Sequence, residues 1–195
     1  PRVLDLDGTI YPSVRRFPDL VTSAGHAFLG LFWPENRFSK RYKMADFDHA
    51  ARQEVDWVSG AFLLGSAECL FRLSGFDEAY FMYTEDVDLC WRAHRAGFAV
   101  VYEPAATVVH AKGVSAETRP YRMILAHHVS LARFSWRQSA ERGRAVVPLV
   151  LAGLGLRFLA CVAQRWTDQL RQRLGGARPP TRVGAARFPR PVAGG

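Results

Sequence analysis

Residues 55–115 read VDWVSGAFLLGSAECLFRLSGFDEAYFMYTEDVDLCWRAHRAGFAVVYEPAATVVHAKGVS, and this stretch decides the fold. Val55–Leu64 is strand-like with a glycine near its centre. Ser66 is placed to cap a short helix that runs to Leu73, where Ser74-Gly75 stops it. After the aromatic run Tyr80-Phe81-Met82-Tyr83, Thr84 is placed to cap a second helix from Glu85 to Ala96, closed by Gly97. Its Val87, Cys90, Trp91 and His94 follow helical spacing and are expected to face the core. Phe98–Tyr102 and Thr107–His110 alternate as two further strands around Glu103-Pro104. Strands mixed with covering helices make an α/β domain.

Upstream, residues 1–17 suggest two short extended pieces around a turn at Asp7-Gly8. Residues 19–33 are apolar and helical in pattern, ended by Pro34, and residues 35–53 have the polar, mixed character of a loop. Downstream, residues 120–142 form an amphipathic helix with arginines on its outer side. Residues 145–163 are apolar except for Arg157, close to the roughly 20 residues a membrane span requires. Pro148, Gly153, Gly155 and Arg157 argue instead for a helix lying on an anionic leaflet, with a packed C-terminal helix as the alternative. From Gly175 the chain is rich in Gly, Pro and Arg, a composition expected to be disordered. The organisation expected is a catalytic part over 1–118, a helical membrane-associated extension over 119–174 and a basic tail over 175–195.

Hydrophobic residues make up 49% and charged residues 23% of the 195 residues, which excludes wholesale disorder. Net charge is +8, but from Gln164 onward seven arginines face Asp168 alone, so most of the excess belongs to the tail. Such an arm suits an anionic surface. It carries only Trp166 and Phe188 as aromatics, too few to stack single-stranded bases, so no nucleic-acid partner is expected. Cys69, Cys90 and Cys161 are an odd count with no CxxC pair, giving neither a disulfide framework nor a zinc knuckle and fitting a reducing cytosol. The first residues carry Asp5, Asp7, Arg15 and Arg16 where a signal peptide would be apolar.

The chemistry concentrates in Tyr83-Thr84-Glu85-Asp86-Val87-Asp88-Leu89, with Arg92 one turn on. Three carboxylates crowd the first turn of a helix, where free N–H groups and the helix dipole favour the ionised form. A carboxylate at the mouth of a cleft can take a proton from a sugar hydroxyl. Acidic residues also decorate many helix starts, so the motif alone is weak.

The quoted string resembles family-2 glycosyltransferases, particularly bacterial rhamnosyltransferase-like enzymes, through WVSGA, GFDExYF, YTEDVDLCWR and the terminal VVH, in that order. The segment DGTIYPSVRRFP resembles the connection those enzymes carry between their halves, so the likeness covers about residues 1–118. It implies the acceptor-side half of a glycosyltransferase A-type, Rossmann-like fold, followed by the helical extension. By resemblance, Asp86 corresponds to the general base that deprotonates an acceptor hydroxyl for inverting attack at an anomeric carbon. Glu85 and Asp88 would support the helix start or hold acceptor hydroxyls, and Arg92 would make a structural ion pair. Trp57, Ser59 and Gly60 match the acceptor-facing strand, where an indole can stack on a sugar and glycine permits close approach. His110 matches a histidine that helps hold the metal or the leaving diphosphate.

The likeness further implies a nucleotide-sugar donor, a sugar such as L-rhamnose, a lipid-linked or cell-envelope glycan acceptor and Mg²⁺ or Mn²⁺. It places the protein in the cytoplasm, peripheral to the inner face of the cell membrane. The family's nucleotide-binding half and its metal-holding Asp-x-Asp are not recognisable, and Asp5-Leu6-Asp7 matches the stretch beyond that motif. The main metal ligands are therefore expected outside this chain, which opens with Pro1 and would need that half for catalysis. Two rivals remain. Val3-Leu4-Asp5-Leu6-Asp7-Gly8-Thr9 resembles the opening motif of haloacid-dehalogenase-type phosphatases, though Lys40, Lys43 and Lys112 stand in no convincing context for that chemistry. The other is a non-catalytic membrane-surface protein.

Overall fold

The computed structural model describes residues 1–17, 29, 33, 35–44, 46–111 and 119–174. The apolar stretch 19–33, apart from Leu29 and Trp33, and the tail from Gly175 lie outside these residues. Among the described residues six short strands pair two by two. β1 (Arg2–Leu4) runs parallel to β6 (Thr107–Val109), with Val3 opposite Val108. β2 (Val14–Arg15) is antiparallel to β4 (Trp57–Val58), and β3 (Gln53–Glu54) to β5 (Val101–Tyr102). Val14 of β2, Tyr102 of β5 and Val55 between β3 and β4 form one apolar cluster, joined by Met44 and Phe47.

The helices between the strands are set by local chemistry. In α2 (Ala67–Leu73) the Ser66 hydroxyl accepts from the Cys69 amide at 3.2 Å, and Ser74 and Gly75 take left-handed φ of 56° and 66° to end it. In α3 (Glu85–Arg95) the closing glycine is Gly97, with φ 85°. Both helices stand where the sequence pattern predicts them. Residues 35–53 do not form a loop throughout. Asn36 caps a helix α1 (Arg37–Tyr42), its side-chain oxygen accepting from the amides of Phe38 and Ser39 at 3.0 Å each. The strand expected over Val55–Leu64 contracts to Trp57–Val58, because the chain turns at Ser59-Gly60 to meet α3.

Two long helices follow, α4 (Pro120–Arg142) and α5 (Val147–Leu174), joined by a 3₁₀ turn at Arg144–Val146. Tyr121 donates to Gln169 Oε1 at 2.8 Å, and the Arg157 guanidinium meets His128, so the pair is an antiparallel hairpin. The extension is helical, but α4 is built into the body. Phe134, 1% exposed, closes the main core against Trp57, Tyr80, Val87 and Cys90, and its ring meets Trp91 edge-on at 6.1 Å. Nor are its arginines all external: Arg122 and Arg133 are exposed, whereas Arg137 turns inward. On α3, His94 is exposed and bonds to the carbonyls of Val55 and Asp56, and Ala93 takes the core position instead.

α5 is about 42 Å long at 1.5 Å per residue. It is long and apolar enough to cross a membrane by length and composition, and almost none of its most apolar window is buried. It rests on α4 along one side and exposes Leu149, Leu156 and Leu159 on the rest. Truncating Phe134 to alanine should empty the junction between body and hairpin and cost about 3–5 kcal/mol in chemical denaturation.

Candidate active site at the start of the Glu85 helix

The turn into α3 is strained. Tyr83 and Thr84 are consecutive non-glycine residues with φ of 66° and 70°, a conformation costing roughly 1–3 kcal/mol per residue. Thr84 therefore occupies the cap position without a side-chain capping bond, contrary to the sequence expectation. Contacts from α4 hold the strained pair. The Ser130 hydroxyl donates to the Met82 carbonyl at 2.9 Å, and the Tyr83 and His127 rings meet edge-on at 5.2 Å.

This turn aims Asp86 at the strand end. The Gly60 amide donates to Asp86 Oδ2 at 2.8 Å, and the Val87 amide to Oδ1 at 2.8 Å. A Cβ at position 60 would stand 3.4 Å from that of Asp86, an ordinary van der Waals contact, so what Gly60 contributes here is its amide. Burial pushes the Asp86 carboxyl above the ordinary carboxylate value, against the two amides and the Arg15 guanidinium. Glu85 is also pushed up, by burial first and then by the neighbouring Asp86 charge. Its Oε2 is buried without a hydrogen-bond partner among the described residues. A carboxylate that is held in place and pushed up can accept a proton from a bound hydroxyl.

The other predicted residues divide. Ser59 lies beside Gly60, its amide donating to the Ser13 carbonyl at 2.7 Å and its hydroxyl accepting from Ala61. Trp57 is 8% exposed, inside the core, with its indole N–H given to the Arg16 carbonyl at 2.9 Å, so it offers no face for stacking a sugar. Asp88 is fully buried and cannot hold an acceptor hydroxyl. Its Oδ2 accepts from Arg92 at 2.7 Å, and its Oδ1 from Arg137 at 2.6 Å and from the Tyr80 hydroxyl at 3.2 Å. Arg92 makes the expected ion pair and also caps the end of α2 through the carbonyls of Leu73 and Gly75. His110 ends β6, its amide on the Leu4 carbonyl and its ring 6.2 Å from Tyr11. Its Nδ1 is buried without a partner among the described residues, and no contact among them joins it to Asp86. Those residues contain no group of three His, Cys, Asp or Glu side chains suited to a metal ion. Sequence reasoning passed over Arg15 and Tyr42, whose charge and hydroxyl lie within electrostatic reach of Asp86. The only clue to Arg15 is its place on the strand beside Trp57.

The profile described as glycosyltransferase like family 2 matches residues 27–124, half of the chain and all of α3. The chain belongs to this glycosyltransferase family. It is 40% identical over 158 residues to the N-acetylglucosaminyl-diphospho-decaprenol L-rhamnosyltransferase of Mycobacterium tuberculosis, covering 80% of this chain and 51% of the relative. It is 37% identical over 98 residues to rhamnosyltransferase WbbL of Escherichia coli, 50% of this chain and 34% of the relative. A pre-mycofactocin glycosyltransferase of M. tuberculosis is 42% identical over 57 residues, 29% of this chain and 12% of that protein. The chain thus spans about half the length of the first of these relatives, or less of the others. No solved structure matches it. Family membership implies a glycosyltransferase A-type α/β fold, in keeping with the mixed strands and helices.

The phosphatase-like motif has a different use in this family member. The Asp7 carboxylate accepts from the Thr9 amide at 2.9 Å and hydroxyl at 2.6 Å, closing an exposed turn in which Gly8 takes φ 83°. Asp88→Asn should destabilise the fold by about 3–5 kcal/mol, because it unbalances two arginines around a buried carboxylate. Asp86→Asn keeps an acceptor for the Gly60 amide and should cost about 1 kcal/mol or less in the same denaturation assay.

Proposed function

We propose that this chain carries the acceptor-side, base-bearing part of an inverting glycosyltransferase, with Asp86 as the base. The observation that carries the reading is the Asp86 carboxylate, fixed by the Gly60 amide at the strained entry to α3 and raised in basicity by burial. Each of its oxygens accepts one amide, and a carboxylate has about four lone-pair sites, so both retain capacity for a substrate hydroxyl. In the reaction Asp86 takes the hydroxyl proton as the oxygen attacks the anomeric carbon. The bond to the nucleoside diphosphate breaks on the opposite face, its electrons leave with the diphosphate, and the configuration inverts. Glu85 and Ser59 border the site and are assigned to acceptor hydroxyls. Gly60 supplies the amide that holds the base.

The donor is a nucleotide sugar, with L-rhamnose favoured because two of the relatives are named for its transfer. The acceptor is a glycan linked through diphosphate to an isoprenoid lipid, following the printed name of the mycobacterial relative. Mg²⁺ or Mn²⁺ would neutralise the leaving diphosphate. In this chain His110, its ring Nδ1 buried without a partner among the described residues, is assigned to that ion or to the diphosphate by family likeness. Nucleotide and main metal ligands are assigned to residues outside those described.

The hairpin supports a place at the membrane. α5 presents its exposed leucines to the lipid, and Arg165, Arg171 and Arg173 follow at its C-terminal end, suited to anionic headgroups on the cytoplasmic leaflet. The mid-helix Arg157 and the packing on α4 favour lying in the interface over crossing it.

In an enzyme that combines these residues with a nucleotide-sugar-binding half, Asp86→Asn should reduce turnover by about 10²-fold or more while donor binding is unchanged. Unchanged turnover would remove Asp86 from its role. Since the base must be ionised and its pKa is raised, kcat/KM should fall as pH is lowered, with a limb above the ordinary carboxylate value of about 3.9. That limb should vanish in the residual activity of the variant.

A further inference from the structure

We infer that the cavity between α4 and α5 binds the diphosphate of an isoprenoid-linked acceptor, whose lipid chain lies along the exposed apolar face of the same two helices. The inference rests on the glycosyl-transfer reading and names the ligand of that site's outer half. The cavity holds about 240 Å³ and is lined by Tyr83, Ile124, His127, His128, Arg157 and Cys161, among others. Sites for whole small ligands run to roughly 300–1,000 Å³, so this one suits a head group.

Arg157 is the only charged residue between Val147 and Gln164. A guanidinium in the middle of an apolar helix is costly, too far from either end to snorkel, and marks a functional position. Its orientation is fixed. His128 Nδ1–H donates to the Ile124 carbonyl at 2.7 Å, which leaves Nε2 as an acceptor, and Arg157 Nη1 donates to it at 3.1 Å. Burial pushes the His128 pKa below its ordinary value, so the imidazole is neutral at pH 7. It aims the guanidinium without cancelling its charge. The planar arginine fork matches phosphate oxygens.

Two links tie this cavity to the proposed base. Tyr83, three residues before Asp86, forms part of its wall and stacks edge-on with His127. Tyr42 lies in electrostatic reach of Arg15, Asp86 and Arg157 together. On this placement the acceptor's sugar extends past Tyr83, the wall residue nearest in sequence to the base. On the other side, Leu125, Val129 and Trp136 of α4 and Leu149, Leu156 and Leu159 of α5 are exposed at helical spacing. An isoprenoid chain is the apolar partner that a diphosphate brings with it.

The test is calorimetric titration of the full chain in detergent with geranylgeranyl diphosphate, geranylgeraniol and inorganic diphosphate. Geranylgeranyl diphosphate should bind about tenfold more tightly than either of the others. Arg157→Gln should remove that advantage and leave geranylgeraniol unaffected, while Arg157→Lys keeps part of it. Cys161→Phe fills the cavity without changing charge and should also weaken the diphosphate, which provides a reading if Arg157→Gln misfolds. Asp86→Asn should bind normally whether or not it transfers sugar, so the two readings fail separately. Equal affinity for geranylgeraniol would reduce the site to an apolar surface and overturn the inference. So would equal affinity for inorganic diphosphate, or full binding by both folded Arg157→Gln and Cys161→Phe.

Discussion

The carboxylate of Asp88 is the point on which the arrangement turns. It is fully buried and gathers Arg92 from its own helix, Arg137 from α4 and the Tyr80 hydroxyl from the loop before α3. Arg92 extends the knot to the end of α2, and Arg137 to Asp77, where a 3.0 Å ion pair and the Ala79 amide hold that carboxyl below its ordinary value. The bond from Asp88 in turn keeps the Arg137 guanidinium above its ordinary value. A buried charge with these partners is costly to disturb and adds little by itself to net stability. Its effect is geometric: it fixes the register of α3 against α4, and with it the direction of the residue two positions earlier.

That direction is maintained against strain. Tyr83 and Thr84 sit in left-handed backbone, and side chains of α4 (Ser130, His127 and the cation–π contacts of Arg122 and Arg133 on Phe81 and Tyr80) cover the loop that carries them. The helical hairpin is thus a second wall of the site. Its inner side organises the loop before Asp86, and its outer side is apolar and uncovered. A surface suited to lipid and a candidate base share one rigid connection, as the proposed lipid-linked acceptor would require.

What could be read from the sequence follows the range of the interactions. Ser66, Ser74-Gly75 and Gly97 were legible because capping is decided within four residues. So was the Asp88–Arg92 pair, four apart on one helix. Asn36 before Arg37–Tyr42 carried the same kind of signal but was hidden by the polar composition around it. Trp57 was assigned to an acceptor-facing strand by resemblance, and β4, two residues long, offers no period that could announce its burial. Arg137 lies 49 residues from Asp88, and no local pattern announces a partner at that separation. Asp86 itself was found by resemblance, while its hold on Gly60, 26 residues away, needed coordinates.

The same comparison explains why adjacent acidic residues behave so differently. Asp86 and Asp88 stand two positions apart at one end of α3, under the same helix dipole. Position on the helix separates them: a step of two residues turns the side chain by about 200°. Asp88 points inward to two guanidinium groups, and Asp86 points to a single glycine amide and its own helix start. Burial opposes the Asp86 charge more than its amide donors and Arg15 favour it, so its proton affinity is raised. Family likeness points to this residue by its place in a motif, and burial raises the proton affinity of its carboxyl as it does that of Glu85.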